Sequence, residues 1–163
     1  MEIWAPVFLV ITFPFCIWAT WSDLKYLKIP NRLSLFMVGL FIVVGPFVLP
    51  FDEYTKSLLF TVIALLASIV IHALRLVAAG DLKFTTAIIP FIQTSDLLSF
   101  VMLVALCSLS AVIIHSIVGR IGLAPKGWAS WEGVTGLKKR FPLGFALAGA
   151  LFVYLLVFSL LTV

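Results

Sequence analysis

The stretch Asp81-Leu82-Lys83-Phe84-Thr85-Thr86-Ala87-Ile88-Ile89-Pro90-Phe91-Ile92-Gln93-Thr94-Ser95-Asp96 decides how this chain is organised. Its apolar centre, Phe84 to Ile92, is bounded by Asp81 and Lys83 on one side and by Thr94, Ser95 and Asp96 on the other, so length alone leaves it open. Around it lie five longer apolar runs, at roughly 3–21, 33–50, 57–77, 97–119 and 141–162, each near the ~20 residues that carry a helix across a bilayer. Charge settles the short stretch. If 82–94 crosses the membrane, one side holds Lys25, Lys28, Arg32, Arg75, Lys83, Arg120, Lys126, Lys138, Lys139 and Arg140, ten of the 11 basic residues, and only Lys56 lies opposite. If it re-enters, the last five of these move across and the split becomes five against six. Lys and Arg in short loops stay on the cytoplasmic side. The expected fold is therefore all-α: a polytopic membrane protein, a bundle of six transmembrane helices with both termini outside, forming one transmembrane domain over 1–163.

A helix of ~13 residues rises only about 20 Å, less than the ~30 Å hydrocarbon core. Either the bilayer thins locally or one end of this helix sits in a protein-walled, water-accessible cavity. Asp81 is at that cytoplasmic end.

Composition agrees with a lipid-embedded chain. Of 163 residues, 63% are hydrophobic and 11% charged, with 15 Phe and 5 Trp and a mean hydropathy of +1.24, which excludes both an ordinary soluble domain and a disordered one. The net charge of +4 reports topology rather than a nucleic-acid partner, because the basic residues line one side of the membrane. Cys16 and Cys107 lie in apolar runs without metal-ligand spacing; they read as small buried side chains, and no metal or cofactor is expected. The first run starts with Glu2, has no basic lead-in and is followed by no small-x-small cleavage pattern, so it is expected to be retained.

Seven acidic residues are present, and in the six-span arrangement Glu2, Asp52, Glu53 and Asp96 fall outside while Asp23, Asp81 and Glu132 fall inside. Only Asp23, after the first span, and Asp81, opening the fourth, sit at helix boundaries on that side. Ionisable residues at membrane depth are costly and mark function by default. Two neighbouring carboxyl groups cannot both ionise, so they share a proton: one draws a proton from water while the other polarises a carbonyl. By helix dipoles, Asp81 at a helix N-terminus is the expected base and Asp23 at a helix C-terminus the expected acid.

No rival nucleophilic set is visible. Ser22 has no His nearby in sequence, and His72 and His115 read as helix-to-helix hydrogen-bonding partners. Gly80 would let a second backbone, such as an extended substrate, approach Asp81. Pro30 and Asn31 read as a turn into the second span, with Asn31 either an N-cap or part of the site. Lys28 and Lys83 read as inside-surface anchors, and Lys83 is also placed to bias which carboxyl holds the proton. Gly144, Ala146, Ala148, Gly149 and Ala150 form a small-residue stripe for close helix packing. The segment 122–140, with Trp128 and Trp131, reads as a flexible interfacial connector in preference to a substrate-docking lid.

The stretch Asp23-Leu24-Lys25-Tyr26-Leu27-Lys28-Ile29-Pro30-Asn31 resembles the first aspartate motif of the type IV prepilin peptidases, and Ala78-Ala79-Gly80-Asp81-Leu82-Lys83 resembles their second, GxGDxK, with Ala78 in place of the first glycine. Phe141-Pro142-Leu143-Gly144 is similar to the family's Pro-x-Gly start of the last helix. The motif order and six spans extend the likeness along essentially the whole chain. The resemblance implies a membrane aspartyl endopeptidase of the bacterial inner membrane, its Asp23 and Asp81 facing the cytoplasm, that removes the basic leader from a prepilin or pseudopilin after a glycine. The short layout, without the cysteine-bearing cytoplasmic region of longer members, looks most like the peptidases of tight-adherence (Flp-type) pili, and N-methylation is not expected. Partners are thus a prepilin-like substrate and the lipid bilayer, with no nucleic acid. The alternative from another class is a small ion- or proton-coupled transporter using the same acids.

Overall fold

The computed structural model describes residues 3–131 and 141–161, and the described residues are helical throughout apart from turns. The helices are α1 (Trp4–Tyr26), α2 (Asn31–Val48), α3 (Phe51–Ala73), α4 (Ala79–Ile88), α5 (Leu97–Arg120) and α6 (Leu143–Leu161). Five of the six are long and apolar enough to cross a membrane. The fourth is the exception expected from sequence: ten α-helical residues run into a single 3-10 turn, Ile89–Phe91, where Pro90 removes a backbone donor. The protein is a multi-pass membrane protein.

The last turn of α1 meets the first turn of α6, the first turns of α2 and α4 meet, α3 begins beside the residues that follow α4, and the C-terminal part of α5 meets the lead-in to α6. The C-terminal ends of α1, α3 and α5 and the N-terminal ends of α2, α4 and α6 therefore share one end of the bundle. The short stretch thus takes its own place in the alternation. Lys25, Lys28, Arg32, Arg75, Lys83, Arg120 and Lys126 all lie at that end, and Lys56 lies at the other, bonded to Asp52 at 2.6 Å. Lys138, Lys139, Arg140 and Glu132 fall outside the described residues.

Boundaries shift from the expected ones where polar side chains find partners inside a helix. α1 continues past 21 to Tyr26 because Ser22 Oγ donates to the Lys28 carbonyl at 2.7 Å and Asp23 is also satisfied, as described below. It stops at Leu27, whose φ of 50° is left-handed and whose N–H bonds back to Asp23 O at 2.8 Å. α3 starts at Phe51, earlier than expected, because Asp52 and Glu53 suit the positive end of a helix.

The core lies between α1, α2, α4 and α6. α6 is half buried along its apolar length and packs most extensively on α1, with Gly144, Ala146, Ala148 and Ala150 buried as the small-residue stripe requires. α3 and α5 instead turn most of their apolar side chains outward; only Ser57 and Thr61 of α3, and Phe100 and Ala111 of α5, are buried. Such faces belong in hydrocarbon. Four hydroxyls within the bundle return to their own helices: Thr12, Thr61, Thr86 and Ser159 each donate to the carbonyl four residues earlier.

Candidate active site

Asp23 sits in the last turn of α1 and is 4% exposed. A carboxylate buried this far needs donors, and the first turn of α6 supplies them: Gly144 N–H donates to Asp23 Oδ2 at 2.7 Å and Phe145 N–H to the same oxygen at 3.3 Å. These amides are among the four at a helix start with no intrahelical acceptor. Asp23 therefore faces a helix N-terminus across the interface as well as belonging to a helix C-terminus along the chain. The dipole contrast expected from chain position, acid at Asp23 and base at Asp81, loses its premise, since both carboxyls lie at the positive end of some helix.

Asp81 occupies the third residue of α4, half-buried, and interacts electrostatically with Asp23. Among the described residues it accepts no hydrogen bond. The two aspartates named from sequence thus come from different helices and meet at one end of the bundle. Ala78, where the motif has glycine, precedes the helix with φ −66° and ψ 140°, an extended conformation open to any residue. Nothing in the backbone there requires glycine.

Ile29 joins the pieces. Its buried side chain lies between two glycines: a Cβ added to Gly80 would come 3.7 Å from Ile29 N, while one added to Gly144 would come 2.6 Å from Ile29 Cδ1 and 2.9 Å from Asp23 Oδ2. The first is ordinary contact and the second is a clash. The backbone that approaches Gly80 is therefore the chain's own Ile29, and the glycine without room for a side chain is Gly144. Sequence reasoning places Gly144 in a packing stripe and misses its amide. The signal available is its position after Pro142, at the first turn of the last helix.

Two expectations need correction. Asn31 is the first helical residue of α2 rather than its cap, because Pro30 takes the extended capping position. Its side-chain oxygen instead accepts a hydrogen bond from Lys83 Nζ at 3.0 Å, tying α2 to α4 at the solvent-facing edge of the site. Lys83 is thereby engaged, and among the described residues ion pairs are formed by Lys56 alone, so Lys83 does not pair with either aspartate. Lys28 is exposed and contributes its carbonyl, to Ser22. Among the described residues no three His, Cys, Asp or Glu side chains gather as metal ligands.

The model of the type IV leader peptidase family matches residues 10–116, which include both aspartates and end within α5. The chain belongs to the type IV leader peptidase family. It is accordingly a protease of the leader-peptidase type. Gly144 and α6 lie beyond the matched segment, so the amide cradle around Asp23 is a finding of the structure. No curated protein and no solved structure matches the chain.

Proposed function

We propose that this protein is an aspartyl endopeptidase that removes the basic leader of prepilins or pseudopilins at the cytoplasmic face of the bacterial inner membrane, with Asp23 and Asp81 as its catalytic pair. The observation that carries the reading is the buried Asp23, held by two amides of α6 and within electrostatic reach of Asp81 from α4. In this reading one carboxylate takes a proton from water as its oxygen bonds to the scissile carbonyl carbon, and the other carboxyl gives its proton to the carbonyl oxygen. Collapse of the tetrahedral adduct breaks the C–N bond, with a proton passing to the departing amine. Sharing one proton is what two close carboxyls do in any case.

Orientation follows from charge. The basic residues at the dyad end support placing it in the cytoplasm, with both termini on the far side. A basic leader is drawn to an anionic inner leaflet while the hydrophobic segment after it lies in the bilayer, which brings the bond between them to the level of the dyad. The whole chain then acts as one transmembrane peptidase domain.

The test is co-expression with a candidate prepilin, following leader removal by gel mobility and N-terminal sequencing for wild type, Asp23→Asn and Asp81→Asn. The expected result is cleavage after the leader glycine by wild type and none by either variant, at equal levels in the membrane. Wild-type cleavage by either variant would remove that aspartate from the mechanism.

A further inference from the structure

The turn that carries Asp23 is completed by a segment more than 100 positions away. Ser130 N–H donates to Leu24 O at 3.3 Å and Ala129 N–H to Lys25 O at 2.9 Å, satisfying carbonyls that the end of α1 would otherwise leave open. The segment is in turn anchored on α5. The Trp131 ring stacks on His115 with centroids 4.5 Å apart and planes 12° from parallel, and its Nε1–H donates to His115 O at 3.0 Å. Gly119, one helical turn beyond His115, leaves the space Trp131 fills: a Cβ there would come 3.1 Å from Trp131 Cδ1. The same imidazole packs roughly perpendicular to Phe141, with centroids 5.9 Å apart, three residues before the Gly144 amide that holds Asp23. One ring therefore touches both supports of the carboxylate, the strap that closes α1 and the lead-in to α6. The expectation of a flexible connector does not hold for residues 128–131, because these backbone and ring contacts dock them.

We infer that residues 128–131 are a strap that positions Asp23 for peptide-bond cleavage, and that Trp131 and His115 are its positioning residues. The inference rests on Asp23 being catalytic, as proposed above. Neither side chain touches the reacting atoms; they act by fixing the last turn of α1 and the first turn of α6 relative to each other. A displacement of about 1 Å at a catalytic group is enough to cost ~10²-fold in rate. Loss of the Trp131 anchor should therefore lower kcat and leave KM nearly unchanged, since it alters where Asp23 stands rather than what the substrate touches.

The experiment uses the full chain in membranes, with a prepilin substrate, and compares wild type, Asp23→Asn, Trp131→Ala and Trp131→Phe. The expected outcome is a fall in kcat of ~10- to 10²-fold for Trp131→Ala with KM within about twofold, and substantial recovery in Trp131→Phe, which keeps the stack and loses the Nε1 bond. A cysteine pair, Lys25→Cys with Ala129→Cys, placed in a background with Cys16 and Cys107 replaced by Ala, should restore kcat to Trp131→Ala when oxidised. Without the anchor, Ala129→Cys alone should react faster with a membrane-impermeant maleimide in inverted vesicles. An inactive Asp23→Asn beside a Trp131→Ala with wild-type kcat would overturn the strap alone, as would an effect confined to KM. An Asp23→Asn that still cuts would overturn the catalytic reading and leave the strap nothing to position.

Discussion

At one end of the bundle Phe8, Phe41 and Phe91 meet ring against ring at 5.2 to 5.8 Å, flanked by Tyr54 stacked on Phe41 and by Trp4, Tyr154 and Phe158. At the other end a buried carboxylate is held by two backbone amides, a glycine with no room for a methyl group and one isoleucine. Apolar burial and ring packing stabilise the first region, and in the second a desolvated acid is costly by itself. The bundle can hold such an acid because the cost is offset elsewhere. In the proposed function stability and chemistry are divided along the helix axes, with α1, α2 and α6 contributing to both ends and the fourth helix reaching the aromatic end through Phe91 in the 3-10 turn that follows it.

That division can be broken from either side. The largest effect is expected at the dyad, where Asp23→Asn and Asp81→Asn should each lower leader cleavage by about 10²- to 10⁴-fold while thermal unfolding in detergent changes little or rises, since an amide is easier to bury than a charge. A variant that loses fold and activity together would show that the two ends are not separable. Next comes Phe41→Ala, whose fully buried ring touches Phe8, Phe91 and Tyr54; a loss of about 3 to 5 kcal/mol is expected, read as a lower unfolding midpoint, with kcat of the folded fraction retained. A large fall in kcat at temperatures where Phe41→Ala remains folded would mean the aromatic end shapes the site.

Gly144→Ala belongs between these, because it should damage both properties at once. Its methyl group would meet Ile29 and the Asp23 carboxylate, so overpacking of about 1 to 3 kcal/mol accompanies a displaced Asp23 and a fall in kcat of up to ~10²-fold. Gly149 in the same stripe has nothing within 4 Å of where a methyl group would stand, and Gly149→Ala should leave cleavage unchanged while raising the unfolding midpoint slightly, by the helix preference of alanine over glycine. Equal behaviour of the two glycines would return Gly144 to a packing role.

Rarity is what makes half of the site legible. In a chain with seven acids, carboxyls at helix boundaries stand out, and the count of basic residues singles out the short fourth helix without any structure. The partners that hold Asp23 carry no such mark. Gly144 donates through its backbone across 121 positions of sequence and reads locally as one small residue in a stripe of them. His115 and Trp131 act through ring planes, which sequence does not order in space. Asn31 misleads for a local reason: the proline before it already takes the extended conformation a cap needs, which frees the carboxamide for Lys83.

The smallest effect is the most discriminating one. Gly80 precedes Asp81, and an added Cβ meets only Ile29, at 3.7 to 3.9 Å, in a helix where alanine is favoured over glycine by about 1 kcal/mol. Gly80→Ala should therefore raise the unfolding midpoint slightly, and cleavage should stay within about threefold of wild type if Ile29 is the only backbone that comes close. A variant that unfolds later but cuts far more slowly, with KM raised, would show that a second backbone does approach Gly80 and that it is the substrate's. Because the fold itself has room for the methyl group, stability cannot account for such a loss, and the glycine before the aspartate would then belong to the peptide being cut rather than to the enzyme's own packing.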